Sequence, residues 1–381
     1  MIMKRILIVA AIAAAASCSP KAMQTASEQG SELGFSVDFF RQALVSSDKD
    51  ENLSVSPYSA GVAMSMLAEG AAGETRAEID DALNGCFFRN ADLGSNDTLK
   101  VTSANSVWLD NDFAVRNEYV NHMAKEYDAL ATVLNFSDPE TVNAINDWCA
   151  EHTDGMIKGI VSKLAPEMKM ILANALYFKC DWYKPFNAGL TKPGVFHGSK
   201  GDSDIDFMYK KDHFNYIEYY GNQLIELPYK TGKYAMYVLL PSQKMGLEEV
   251  THYLYASGVK EVIGMMAPRQ VNLVLPKFKV ETDLSLMKTL ESMGVRTEFS
   301  AAADLSGIAK GPLAVSDVLQ KTVVDVNEKG TEAAAVTAVM VGLTSVRTEP
   351  PVNMRVDRPF LYLIADMEAE RILFAGRIMN I

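Results

Sequence analysis

The stretch EKGTEAAAVTAVMVGLTSVRTEPP at residues 328–351 decides which folds are open to this sequence. It follows a run at residues 322–326 that alternates like a strand with one buried face. Residues 333–346 contain no proline and no charged side chain, so they can lie in a sheet at period 2. The prolines and charged residues that follow are typical of an exposed connection. We therefore expect a switch segment that can exist both as a strand and as a long loop.

The alternation within this stretch separates two sets of side chains. One set is small or apolar throughout: Thr331, Ala333, Ala335, Thr337, Val339, Val341 and Leu343. An alanine-rich helix is the alternative interpretation, because Ala has the highest helix propensity. The residues before the alanines favour the switch, because they resemble the hinge of the inhibitory serpins, the serine protease inhibitor family. The hinge resemblance rests on Glu328, Gly330, Thr331, Glu332, Ala333, Ala334 and Ala335.

This resemblance implies both a fold and a moving part. Residues 328–351 would carry the reactive-centre loop, which a protease cleaves and which then inserts into the central sheet. The fold implied is α+β, with three β-sheets, about eight or nine helices and an exposed reactive-centre loop. The resemblance begins near Ser31 and continues to the last residue, so we expect residues 32–381 to form a single serpin domain.

A second set of serpin-like residues belongs to the shutter, the region that parts when the loop inserts. Ser56 precedes Pro57 at a predicted helix start, where Ser can cap the helix and Pro loses no hydrogen bond. By resemblance the shutter comprises Ser56, Pro57, Ser59, Asn174 and Gln320. Many serpins have His where this chain has Gln320, so we expect no histidine-linked pH response at the shutter.

A third set belongs to the breach, the end of the sheet at which insertion begins. Trp182 closes the strand-like run NALYFKCDW at residues 174–182, and by resemblance it covers the breach. Lys277, within LPKF, would pair with Glu328. A core aromatic is the plainer interpretation of Trp182, and the two interpretations are compatible.

The family mechanism implies that a target protease attacks the loop as a substrate and forms an acyl-enzyme. The freed loop then inserts and carries the protease to the far end of the molecule before hydrolysis can finish. A bulky or charged residue at an inward position would slow this insertion, because it must be desolvated. We therefore expect an inhibitor, and we expect Thr331→Arg to convert it into a substrate.

Family spacing from Glu328 predicts that the reactive bond joins Thr344 and Ser345. The residues before it, Val-Gly-Leu at 341–343, suit elastase-like or subtilisin-like serine proteases, and papain-like cysteine proteases as an extension. The bond between Arg347 and Thr348 is an alternative that suits a trypsin-like enzyme. Leu343 and Val346 are further alternatives, and more than one bond can serve.

The first residues form a targeting segment. Residues 1–17 have a basic start and a short apolar run, which indicates a signal peptide and not a membrane span. AASC at residues 15–18 resembles a bacterial lipobox, which implies lipid attachment at Cys18, and residues 18–31 form a tether. A plain secretory signal is the alternative. We expect an exported lipoprotein, anchored to a membrane of the cell envelope or cell surface, outside the cytoplasm.

Charge and cysteine content limit the partners. The net charge of −12 argues against binding to nucleic acid or to an anionic membrane surface. Any membrane contact would come from the N-terminal lipid. We expect a monomer whose partner is the target endopeptidase. Cys86, Cys149 and Cys180 have no metal-like spacing and are interpreted as buried or half-buried thiols, with one disulfide as an alternative.

The sequence carries no recognised catalytic, nucleotide-binding or metal-binding motif, and its five histidines are scattered. We therefore expect no enzymatic activity, no cofactor and no metal site. Two rival functions remain at this stage. A non-inhibitory serpin would be cleaved in the same loop without trapping the protease, and a surface-binding lipoprotein would act independently of the loop.

Overall fold

The computed structural model describes residues 30–243, 246–247, 249–250, 258–331 and 350–381. The predicted signal peptide, Cys18 and most of the tether lie outside this part of the chain. So do the hinge residues 332–335 and both candidate reactive bonds, Thr344–Ser345 and Arg347–Thr348.

Seven α-helices occur within the described residues, against about eight or nine expected. They are α1 (Glu32–Ser46), α2 (Pro57–Ala68), α3 (Gly73–Ala82), α4 (Asn117–Tyr127), α5 (Glu140–His152), α6 (Val259–Gly264) and α7 (Met287–Ser292). Two 3-10 helices span Ala188–Leu190 and Thr297–Phe299. Helix α7 begins at Met287, because the preceding strand continues to Ser285 and pairs with Leu319.

The strands contain more of the described residues than the helices do. They are β1 (Leu53–Val55), β2 (Ser95–Asn96), β3 (Leu99–Asp110), β4 (Ala129–Leu134), β5 (Met170–Asp181), β6 (Lys192–Gly198), β7 (Gly201–Tyr219), β8 (Asn222–Pro228), β9 (Ala235–Leu240), β10 (Ala267–Pro276), β11 (Phe278–Ser285), β12 (Asp317–Val326), β13 (Gly330–Thr331), β14 (Val352–Arg355), β15 (Phe360–Asp366) and β16 (Arg371–Ile378). The last two strands, β15 and β16, pair antiparallel with each other.

Within the described residues these strands form two hydrogen-bonded sheets. The smaller, central sheet has the order β11-β12-β13-β5-β3-β2, with β4 on β3. The larger has the order β1-β16-β15-β9-β8-β7-β10-β14, with β6 on β7. The 19-residue β7 pairs with β6 over its first part, with β10 over its middle and with β8 at its end. The second and third expected sheets therefore share β7 and form one network.

The central sheet is buried on both faces. This explains why residues 170–178 of β5 are apolar apart from Asn174. On one face Leu172, Leu176 and Phe178 join the main core between the two sheets. On the other face Ala173 and Tyr177 join a smaller cluster with Ile145 and Cys149 of α5. A strand that is added beside β5 would therefore need side chains on both of its faces that can be buried against apolar neighbours.

Helix α2 begins as its sequence predicts. The Ser56 hydroxyl accepts a hydrogen bond from the backbone N–H of Ser59, and Pro57 is the first helical residue. A surface helix would bury one stripe, but all twelve residues of α2 are buried. The reason is that α2 contacts β5 of the central sheet and β16 of the larger sheet.

Cys86, Cys149 and Cys180 are free thiols, so the alternative of a disulfide among them is not realised. Cys149 and Cys180 are buried and Cys86 is half-buried, as the sequence predicts. Within the described residues, no helix combines the length and the apolar composition that crossing a membrane requires.

Candidate functional site

The candidate site is the line along which β5 and β12 meet in the central sheet. The two strands pair in parallel over seven positions, from Asp317 opposite Ile171 to Val323 opposite Tyr177. Beyond that point the short strand β13 lies between them. Thr331 is opposite Cys180 on β5 and Val326 on β12, antiparallel to both. The start of the hinge is therefore already in the sheet, which sequence reasoning did not predict.

Two features fit β13 to its position beside β5: a buried hydrogen bond at Thr331 and the absence of a side chain at Gly330. Thr331 is fully buried, and its hydroxyl lies 2.8 Å from the hydroxyl of Tyr229, which is also buried. Gly330 has no room for a side chain, since a Cβ there would lie 2.1 Å from the carbonyl oxygen of Cys180. No motif or spacing in the sequence connects Tyr229 with the hinge.

Trp182, the residue predicted to cover the breach, lies next to the segment that leads into β13. Its side chain is 2% exposed and stacks on Tyr229, with 4.6 Å between ring centroids. The indole N–H donates to the carbonyl oxygen of Asn327 at 3.0 Å, and the backbone N–H donates to that of Lys329 at 2.8 Å. The backbone N–H of Phe186 donates to the carbonyl oxygen of Glu328 at 2.7 Å. The segment around Trp182 thus fixes the hinge backbone at its start.

The predicted partners Lys277 and Glu328 meet, with Lys277 Nζ 3.4 Å from Glu328 Oε2. The hydroxyl of Thr191, which sequence reasoning missed, donates to Glu328 Oε1 at 2.7 Å. Burial alone would raise the pKa of Glu328, but the Thr191 hydrogen bond and the Lys277 charge outweigh it and hold this pKa below its usual value. Glu328 is therefore charged at neutral pH and anchors the hinge by its side chain as well as its backbone.

The predicted shutter residues lie close to the middle of the β5–β12 line, but they form two groups. In the first, the Gln320 side chain on β12 bonds both backbone groups of Ser56. Gln320 Oε1 accepts from the Ser56 N–H at 2.8 Å, and Gln320 Nε2 donates to the Ser56 carbonyl oxygen at 2.9 Å. Gln320 thereby ties β12 to the start of α2, where Pro57 and Ser59 lie.

In the second group Asn174 on β5 is opposite Gln320 on β12 and Asn105 on β3. Its side-chain amide donates to Asn105 Oδ1 and not to the Gln320–Ser56 pair. Within the described residues, Asn174 Oδ1 and the Ser59 hydroxyl are buried without a hydrogen-bond partner. Asn105 is a further residue that sequence reasoning missed, because nothing local marks a strand pairing between positions 105 and 174.

The family model described as Serpin (serine protease inhibitor) matches residues 31–381. An uncharacterized serpin-like protein of Thermococcus kodakarensis is 32% identical over 362 residues, covering 91% of this chain and 84% of its own. Iripin-3 of Ixodes ricinus is 35% identical, with 89% of this chain and 91% of its own covered. A serine protease inhibitor of Cyanea capillata is 33% identical, with 90% and 96% covered.

Solved structures agree with this assignment. The native-state crystal structure of the thermophilic serpin Tengpin has a TM-score of 0.85 and 29% identity, covering 96% of this chain and 95% of its own. Serpin48 of Tenebrio molitor has a TM-score of 0.81 and 29% identity, with 93% and 98% covered. The expected serpin fold is confirmed. This chain therefore belongs to the serpin family of serine protease inhibitors.

Proposed function

We propose that this protein inhibits serine endopeptidases as a suicide substrate, by cleavage and insertion of the loop at residues 328–351. Serpins are in general protease inhibitors and not enzymes, and this family membership supports the broad role. The observation that carries the specific mechanism is β13. A hinge that already pairs with both β5 and β12 needs only to continue in the same register after cleavage.

The strand pairing supplies a physical reason for insertion. In the uncleaved form β5 and β12 share one parallel ladder over seven positions. Each further residue that follows β13 replaces this ladder by two antiparallel ladders, one on each side. Antiparallel pairing is slightly more stable per residue than parallel pairing, and two ladders hold more hydrogen bonds than one. The uncleaved form is then a kinetically trapped state that cleavage releases.

The register also supports Thr344–Ser345 as the reactive bond. Ten residues beyond Thr331 is Val341, and ten residues back from Cys180 is Met170, the first residue of β5. On this register Thr344 lies three residues beyond the strand and Arg347 lies six. Cleavage after Arg347 would add about 10 Å of extended chain, and such slack would weaken the strain on a trapped protease. We infer that Thr344 is the main site.

Val-Gly-Leu before Thr344 favours elastase-like and subtilisin-like proteases as targets, with papain-like enzymes as an extension. Trypsin-like proteases are the expected targets only if Arg347 is used. We also infer from residues 1–31 that the protein is exported and anchored through a lipid on Cys18. This location would present the loop to proteases outside the cytoplasm.

Incubation with pancreatic-type elastase, subtilisin and trypsin tests the proposal. We expect a protease complex that survives denaturing electrophoresis and a released C-terminal peptide that begins at Ser345. Thr344→Glu and Arg347→Glu are matched variants, because each puts the same unfavourable residue before one candidate bond. Only Thr344→Glu should abolish the complex with elastase. Cleavage at Ser345 without any complex would contradict inhibition, and loss of the complex only in Arg347→Glu would move the bond.

The hinge offers a second matched pair. Thr331→Arg is a poor probe, because Thr331 is already buried in the uncleaved form and Arg there would disturb the resting fold. Ala333 is the next inward position. Glu332 precedes Ala333 and would point to the opposite face of the sheet. If the β13 pairing continues in the same register, Glu332 lies opposite Lys179, which is partly exposed.

Desolvating a buried charge slows insertion. Ala333→Arg should therefore raise the number of inhibitor molecules consumed per protease several-fold. Glu332→Arg should leave that number nearly unchanged. If the two variants give the same stoichiometry of inhibition, the assignment of Ala333 as inward and Glu332 as outward is refuted.

A further inference from the structure

A cavity of about 340 Å³ lies beside the breach and takes no part in the mechanism above. It lies between the segment at residues 182–186 and strand β7, and the ends of β8 and β10 complete it. Trp182, Phe186, Lys210 and Phe214 are among the residues that line it. Its size falls within the range of small-molecule sites in proteins, and its walls combine aromatic rings with a few polar groups, as such sites do.

Lys210 is the polar centre of this cavity. Its ammonium group donates a hydrogen bond to the carbonyl oxygen of Lys184. It also lies over two aromatic rings, 5.1 Å from the centroid of Phe186 and 5.7 Å from that of Phe214. An ammonium group has three N–H donors, and a ring face cannot accept as a carboxylate does. Within the part of the chain that the structure describes, Lys210 forms no ion pair, so it has donors to offer a ligand.

The carboxylates near Lys210 are engaged elsewhere. Asp212 Oδ2 lies 2.9 Å from Lys184 Nζ, and Asp212 Oδ1 accepts from the backbone N–H of His213 at 2.8 Å. The pairing of β7 with β10 is unbroken, so Lys210, Asp212 and Phe214 share one face of the sheet.

Glu226 accepts a hydrogen bond from the Asn215 side chain at 2.6 Å. Asn215 and Glu226 also line the cavity, although they belong to the other phase of β7 and β8 from Lys210. Within the described residues Glu226 forms no ion pair with Lys210, so it does not supply the anion that Lys210 lacks.

The electrostatics agree with this geometry. Burial lowers the pKa of Lys210 to about 8, and the charge of Lys184 acts in the same direction. Asp212 acts in the opposite direction but does not compensate for the burial. A carboxylate bound directly to Lys210 would supply the missing negative charge and stabilise its protonated form.

We propose that this cavity binds a small aromatic carboxylate, with its carboxylate on Lys210 and its ring against the aromatic walls of the cavity. The aromatic walls favour a flat apolar body, and the free ammonium donors favour an anionic head group. The binding itself does not rest on the proposed inhibitory function, because no step of it needs a protease or a cleaved loop.

Binding here would nevertheless act on the hinge. Trp182 and Phe186 line the cavity, and their backbone N–H groups bond the carbonyl oxygens of Lys329 and Glu328. A ligand that orders this segment is expected to raise the melting temperature of the uncleaved protein.

The test uses 1-naphthaleneacetate as the probe and 1-naphthaleneacetamide as its neutral counterpart, with binding to the full chain followed by calorimetry. We expect saturable binding of the acid at about 1 mM or below and at least tenfold weaker binding of the amide. Lys210→Met should weaken binding of the acid at least tenfold. Lys211→Met is the matched control, because Lys211 is the exposed neighbour on the opposite face of β7, and it should leave the affinity unchanged.

The unmodified protein provides a measurement that needs no variant. Affinity for the acid should fall as the pH rises through about 8, because a neutral amine cannot pair with a carboxylate. Equal affinity for acid and amide would overturn the proposal, since it would place the probe in an apolar site. Equal effects of Lys210→Met and Lys211→Met, or no saturable binding, would overturn it as well.

Discussion

The tie between Gln320 and Ser56 can be broken by one substitution, Gln320→Ala. The Gln320 side chain is 1% exposed and bonds the N–H and the carbonyl oxygen of Ser56, at 2.8 Å and 2.9 Å. Alanine would remove both hydrogen bonds and leave the buried N–H of Ser56 unpaired, while its carbonyl oxygen keeps the bond from the N–H of Ala60 at 3.0 Å. The substitution removes an anchor of β12 without touching the loop or the strand pairing itself.

The expected loss follows from this one N–H group. An unpaired buried donor costs about 1–3 kcal/mol, so the uncleaved form should lose roughly 1–3 kcal/mol. For a protein of this size such a loss corresponds to a melting temperature lower by about 1–4 °C. Thermal unfolding of the uncleaved protein, followed by circular dichroism at one fixed scan rate, measures the change.

Gln42→Ala is the matched control, because Gln42 is a half-buried glutamine on α1 and alanine favours the helix. That control should change stability by less than about 0.5 kcal/mol. A Gln320→Ala protein that melts within about 1 °C of the control would refute the reasoning. It would mean that water or Ser59 satisfies the freed N–H of Ser56, and that Gln320 does not anchor β12.

Two carboxylates give predictions of opposite sign. Glu328 has a pKa below its usual value of 4.5, so its contribution is present above that pH and is lost as the pH falls through the folded value. Glu328→Gln should therefore destabilise the uncleaved form by about 1 kcal/mol at pH 7, and the difference from the parent should vanish in acid; an equal difference at both pH values would contradict it. Glu298 is fully buried, and burial, reinforced by the charge of Glu78, raises its pKa to about 7. Stability should fall as the pH rises from 4.5 to about 7, by roughly 3 kcal/mol at most. Glu298→Gln should abolish that fall in denaturant titrations at pH 5 and pH 8, and a fall that persists would assign it to another group.

The sequence was sufficient for the parts of the site that depend on composition and spacing. The hinge segment is recognisable because one phase of it contains only small or apolar residues, and Pro57 after Ser56 marks a helix start on local chemistry alone. The meeting of Lys277 and Glu328 followed from resemblance, and the structure gives it a distance of 3.4 Å. Helix α2 departs from the pattern of a surface helix because it is enclosed between two sheets, which periodicity alone does not reveal.

The parts that could not be predicted are contacts between distant residues without a local signature. The bond between Tyr229 and Thr331 joins residues 102 positions apart, and that between Asn105 and Asn174 joins residues 69 positions apart. The entry of β13 into the sheet depends on the space between β5 and β12, a property of the folded molecule. The same holds for Lys210, whose place between two rings depends on the packing of residues 182–186 against β7.

The register of β13 would bring the two shutter groups into contact with the same residue of an inserted loop. Six residues beyond Thr331 is Thr337, and six residues back along the neighbouring strands are Asn174 on β5 and Gln320 on β12. An inserted loop would therefore bring the Thr337 hydroxyl between the Asn174 and Gln320 side chains. Within the described residues, Asn174 Oδ1 has no partner in the uncleaved form, so a hydroxyl that arrives there satisfies it. A buried polar atom that destabilises the closed sheet is then satisfied only in the inserted one. This difference between the two states would add to the force that drives the proposed insertion.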